Sequence, residues 1–148
     1  MIIFLDTGVL GLVIHPRGGN EAGACNRWLQ ECLAGGFGAC VPELADDELR
    51  RELIRANHRE SIERLDQFEA SVVYVPITTA VMRRAAQHWA AARNAAFPTA
   101  ANEALDNDVI LVSQAMLYAE QAYEEVVVAT TNVGHLSRFL DARLWTQI

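Results

Sequence analysis

The chain contains no lysine; all twelve of its basic residues are arginine. A P-loop ATPase needs the lysine that reaches the nucleotide phosphates, and Schiff-base and pyridoxal enzymes need the amine itself, so these classes are excluded. A phospho-receiver domain, otherwise compatible with an early aspartate, usually carries a lysine too. Cysteine is also scarce. Cys25, Cys32 and Cys40 are odd in number and form no CxxC pair, which reads as reduced, packed thiols in a cytosolic protein. Long apolar runs are missing: none approaches membrane-spanning length, and Met1–Leu5 is too short for a signal segment and lacks its basic flank. The expectation is a soluble, cytoplasmic protein with no membrane partner.

What is present suits one globular unit, and residues 1–148 are expected to form a single domain. Hydrophobic residues make up 51% of the chain and charged residues 21%, enough for a real core and unlike a disordered composition. The formal charge of −7 argues against a protein that coats nucleic acid by bulk electrostatics. It leaves room for a local basic face, or for a cluster of acids neutralised by a metal.

The chain opens on Ile2–Ile3–Phe4–Leu5–Asp6–Thr7–Gly8. Four apolar residues in a row suit a strand covered on both faces, and Asp6 would stand at its carboxyl end, either as a site residue or as the cap of the next helix. A short apolar helix or turn and a loop at His15–Asn20 follow, then a helix from Glu21 to Ala34 stopped by Gly35–Gly36. Phe37–Val41 is a second strand. Leu44–Phe68 is helical, with a break expected near Asn57–His58, and Val72–Val75 is a third strand. Thr78–Thr79 begins a helix that must end before Pro98, with a loop over Phe97–Glu103. Asp106–Asn107–Asp108 opens a nearly all-apolar helix over Val109–Gln121. Val126–Ala129 is a fourth strand, Gly134–Phe139 a short helix, and Leu144–Ile148 an edge strand. Strands separated by helices imply crossover connections and a parallel sheet with helices on both faces.

Three groups of acids fall at element boundaries: Asp6, the run Asp46–Asp47–Glu48, and Asp106 with Asp108. Each has an ordinary reading as a helix cap or first-turn acid. Their coincidence along the edge formed by the strand ends after Leu5, Val41 and Ala129 favours a site. Carboxylates packed together raise each other's pKa, and a hard divalent cation relieves that cost. Oxygen ligands without a His or Cys cluster favour Mg²⁺ or Mn²⁺ over zinc, and point to hydrolysis of a phosphodiester.

In these residues the chain resembles PIN-domain nucleases, in particular the VapC-type toxins of bacterial toxin–antitoxin pairs. The likeness runs from Ile3–Phe4–Leu5–Asp6–Thr7 to Thr130–Thr131–Asn132–Val133. It identifies Asp6 as the first family acid. The second is Glu48, several residues past Val41–Pro42, with Glu43 and Asp47 as near competitors. The third is Asp108, in front of Val109–Ile110–Leu111–Val112. The resemblance implies a three-layer α/β/α fold with a central parallel sheet, and a Mg²⁺- or Mn²⁺-dependent endoribonuclease acting on RNA. It also implies an antitoxin partner that blocks the site, and a homodimer. Asp6, Glu48 and Asp108 would bind the metal, which would make a bound water more acidic and steady the charge on the phosphate. Thr130 and Asn132 would orient water or phosphate. The family often carries a fourth acid after the last core strand, where this chain has Asn132 or His135; Asp106 is the candidate to replace it, in catalysis and as a metal ligand.

Asp6–Thr7–Gly8 is also the aspartic-protease signature, but those proteins are all-β, and this chain is strongly helical after Gly8. Arg51 and Arg55 are candidates to grip RNA phosphates; the other reading is a solvated helix face pairing with nearby glutamates, favoured for Arg59. The alternative function is a catalytically degenerate PIN-like module that binds RNA or a partner, suggested by the missing fourth acid.

Overall fold

The computed structural model describes residues 1–95 and 102–148. Five strands form one all-parallel sheet: β1 (Ile2–Leu5), β2 (Gly38–Pro42), β3 (Val73–Val75), β4 (Val126–Thr130) and β5 (Ala142–Leu144), in the order β3-β2-β1-β4-β5. The described helices are α1 (Thr7–Ile14), α2 (Asn20–Ala34), α3 (Glu43–Arg55), α4 (Arg59–Glu69), α5 (Thr79–Asn94) and α6 (Asn102–Ala122).

The apolar runs of β1, β2 and β4 are continuous because both faces of the sheet are covered. Ile3, Leu5, Ala39, Val41, Val127 and Ala129 point into a core shared with α1 and α2. The alternate residues Phe4, Cys40 and Val128 point into a second core with Leu111, Val112 and Ala115 of α6. This is a three-layer α/β/α arrangement, with α5 packed on α6 through Ala85, Ala92, Leu105 and Val109. The three cysteines are buried free thiols. No described helix is long and apolar enough to cross a membrane.

The helical stretch after β2 divides into α3 and α4 at Asn57, whose φ of 57° is left-handed, a conformation asparagine tolerates well. Some boundaries differ from expectation. The loop expected over Phe97–Glu103 lies mostly outside the described residues, and Asn102 and Glu103 already belong to α6. The helix therefore starts at least a turn before Asp106, because Leu105 continues the apolar stripe that Val109 presents to α5. Asp106 is thus not a cap. The last strand is Ala142–Leu144, in register with Val128–Thr130, and Trp145–Gln147 is a 3₁₀ turn rather than strand. The expected helix at Gly134–Phe139 shrinks to a 3₁₀ turn, Leu136–Arg138.

The strand order fixes where a site can form. The chain moves outward from β1 through β2 to β3, then crosses back to place β4 on the other side of β1. Ligands of open α/β sheets bind beyond the carboxyl ends of the strands where the order reverses. Here that crevice lies beyond the ends of β1 and β4, where Leu5 is paired in register with Ala129.

Candidate active site

Asp6 is the first residue past β1, held to the sheet by its backbone N–H, which donates to Ala129 O at 3.0 Å. Its two ordinary readings turn out to be compatible. Oδ1 accepts the Thr7 N–H at 2.8 Å and caps α1, while Oδ2 accepts the Thr130 hydroxyl at 2.6 Å. Thr130 is fully buried, and its oxygen in turn accepts the Asn132 N–H at 3.0 Å. The end of β4 therefore orients the Asp6 carboxylate. Gly8 lets α1 come this close: a side chain there would collide with Thr131 Oγ1.

Glu48 reaches the same crevice from the second turn of α3. Its Oε2 accepts the Thr7 hydroxyl at 2.5 Å and its Oε1 accepts the Asn107 amide. Its near competitors are engaged elsewhere. Glu43 accepts the Ile77 N–H, Asp46 accepts from Arg50 and Tyr74, and Asp47 is exposed beside Arg51. Asp108, on α6, completes the group electrostatically. Burial pushes its carboxyl up to about 6; His135 pulls it down, and the charges of Asp6 and Glu48 push it further up. Asp108 therefore feels the other two acids across the crevice, with the imidazole of His135 close by.

Asp106 does not join them. It is exposed and lines a groove between α5 and α6 with Met82, Trp89 and Ile110. Residues two apart on a helix point to different sides, so Asn107, not Asp106, is the helix neighbour that reaches Glu48. Sequence reasoning passed over Asn107 and the hydroxyl of Thr7; the only signal was their position beside Asp108 and Asp6. Asn132 lies just beyond Thr130 with an exposed side chain. Arg51 sits 3.8 Å from Asp47, and Arg55 pairs with Glu52 at 2.8 Å, both on the solvent face of α3.

Among the described residues, no three His, Cys, Asp or Glu side chains stand in a ready-made metal cage. The chemistry of the donors nevertheless fits a hard divalent cation: three carboxylates from the end of β1, α3 and α6, one of them raised by burial and then by the negative charge of the other two. Both oxygens of Glu48 and both of Asp6 accept protein hydrogen bonds instead.

The PIN-domain family model matches residues 3–135. Chains of three solved structures share the fold. That of VapBC2 from Rickettsia felis bound to a DNA fragment from their promoter has a TM-score of 0.71 at 18% identity, over 98% of this chain and 99% of that one. VapBC-1 from nontypeable Haemophilus influenzae gives 0.70 at 17%, over 99% of each chain. DNA-bound VapBC from Salmonella typhimurium gives 0.64 at 15%, over 98% of each. No curated protein sequence matches the chain. PIN domains as a class are nucleases, generally dependent on divalent metal ions. A match spanning all but the chain's two ends, together with acids gathered at the switch point of a parallel sheet, shows that this chain belongs to the PIN-domain family.

Proposed function

We propose that the chain is a VapC-type endoribonuclease, dependent on Mg²⁺ or Mn²⁺, cytoplasmic, and the toxin of a toxin–antitoxin pair. The observation that carries the reading is the electrostatic meeting of Asp6, Glu48 and Asp108 beyond β1 and β4. These three would hold the cation, which supplies Lewis-acid stabilisation of charge developing on a phosphodiester. Thr130 and the Thr7 N–H keep Asp6 turned toward the crevice. Thr7 and Asn107 fix Glu48, and their donors satisfy its charge until substrate and cation arrive. Thr130, buried with its hydroxyl committed to Asp6, acts through that carboxylate, and the exposed Asn132 beside it at the β4 end would orient water or phosphate. The α5-facing position of Asp106 leaves it out of this set. The VapBC structures that share the fold support a protein antitoxin as partner; a homodimer is carried over from the family resemblance alone.

The experiment is cleavage of an end-labelled single-stranded RNA with Mg²⁺ or Mn²⁺, with EDTA as control, for the wild type and Asp108→Asn. Metal-dependent cleavage that Asp108→Asn abolishes is the expected result. A wild type that binds RNA yet stays inert with either metal would overturn the enzyme and leave the binding module, whose support is the absence of a carboxylate at Asn132.

A further inference from the structure

A second hollow lies along α1 and α3 from the acids. From Thr7 to Gly11 along α1 is about 6 Å at 1.5 Å per residue. There, beside Leu49 of α3, the surface opens into a cavity of about 620 Å³. Its aliphatic wall comes from Ile14, Leu49 and Leu53. Around it stand His15 and Arg17 from the loop after α1, and His58 and Arg59 from the start of α4, with Glu60 the one acid.

Two features of this rim bear on what it could hold. The chain's net charge is −7, and Arg50, Arg51, Arg55, Arg84 and Arg143 each lie within ion-pair distance of a carboxylate. Arg17 and Arg59 are in no such pair among the described residues, a condition they share with Arg27, Arg64 and Arg83, but they are the two that stand together on one cavity. The start of α4 is uncapped, with Glu60 the acid of its first turn. His58 occupies the cap position without a capping hydrogen bond, and Arg59 puts a cation where the helix dipole disfavours one. An anion in the cavity would reverse both penalties. His15 is already oriented: its Nδ1 accepts the Arg17 N–H at 3.2 Å, so the neutral ring keeps its proton on Nε2.

We infer that this cavity is a nucleotide subsite for the same RNA strand whose phosphodiester lies at the acids. Arg17 and Arg59 take a backbone phosphate, and the base rests on the aliphatic wall against the imidazoles of His15 and His58. Guanidinium contacts to phosphate with base stacking on rings are how single strands are held without sequence readout. The size of the cavity suits one nucleotide, and its place one turn along α1 from Thr7 and one residue along α3 from Glu48 favours a strand that also reaches the acids over an acidic peptide. The inference rests on the ribonuclease reading, and the test separates the two.

Binding of a short labelled single-stranded RNA is measured across a salt titration in the Asp108→Asn background, with Mg²⁺ present. The variants are Arg17→Ala with Arg59→Ala, and Arg83→Ala on α5 as control. The double variant should lose affinity on the order of tenfold. Its salt slope should drop by about 0.7 for each phosphate contact removed, and the control should change neither. In the otherwise wild-type enzyme, KM should rise with kcat nearly kept. Unchanged affinity and slope alongside normal wild-type cleavage would overturn the subsite and leave the nuclease standing. Arginine-dependent binding without any cleavage would keep the subsite and remove the nuclease. An equal loss in Arg83→Ala, no RNA binding at all, or loss only of an acidic peptide's binding would each overturn the inference.

Discussion

Asp108 is where burial and charge act most strongly on one site residue. Its carboxyl is raised from 3.8 to about 6 by burial and by Asp6 and Glu48, against the pull of His135. Between those values the folded chain holds a proton that the unfolded chain releases. Its favourable contribution is therefore complete below about 3.8 and lost as pH rises through 6. Asp108→Asn removes the charge and should raise the melting temperature at pH 8 by roughly 2–4 °C. That is equivalent to about 1 kcal/mol once the solvent reaching this half-exposed group is allowed for. At pH 4 the two proteins should melt together; a variant less stable at pH 8 would show that the carboxylate is a net structural asset. Asp106 makes the contrast. It is exposed on the α5 side, so Asp106→Ala should change stability by no more than about 0.5 kcal/mol and leave cleavage at the wild-type rate.

At the scale of elements, Gln114 ties three pieces together. It is fully buried on α6, donates to Val75 O of β3 at 2.6 Å, and faces the Leu44 N–H at the start of α3 at 3.5 Å. Its amide thus helps set how α6 sits against β3 and the start of α3, the helix that carries Glu48. Gln114→Leu keeps the volume but strands a buried carbonyl and a buried N–H. It should cost about 2–3 kcal/mol, read as a shifted denaturation midpoint with unchanged slope. A neutral Gln114→Leu would mean that neither group depends on the amide.

Across the whole molecule, a second ionic cluster joins α3 and α4 to β3, away from the site. Arg50 pairs with Asp46 at 2.7 Å, Asp66 at 2.8 Å and Glu69 at 3.2 Å, while the Tyr74 hydroxyl donates to Asp46 at 2.9 Å. Burial, and then hydrogen bonding and charge from Asp46, push Glu69 up to about 7 despite Arg50. A raised carboxyl stabilises most below its ordinary value of 4.5, and its contribution is lost as pH climbs through 7. With Asp108 acting the same way, the protein should melt higher at pH 5.5 than at pH 8. Glu69→Gln should flatten the part of that slope between pH 6 and 8. A melting profile that rises toward pH 8 would contradict the raised carboxyl.

The alternation of apolar runs with helical stretches was enough to read the parallel α/β/α layers, because strands buried on both faces must be apolar at every position. Asp6, Glu48 and Asp108 stood out as candidates, Asp6 and Asp108 at the boundary of a buried strand or helix and Glu48 through the family likeness. The sequence could not choose among neighbouring acids. Asp106 and Asp108 are about 200° apart around α6, and only the packing of α5 against Leu105 and Val109 decides which faces the crevice. The same holds for Glu43, Asp46, Asp47 and Glu48, which spread around one helix until the contacts of α3 with α1, α4 and β3 assign each its own surroundings. The unpaired arginines beside His15 and His58 were beyond sequence reading for the same reason: a side chain's charge is written in the chain, but its partners are set by elements that meet only on folding.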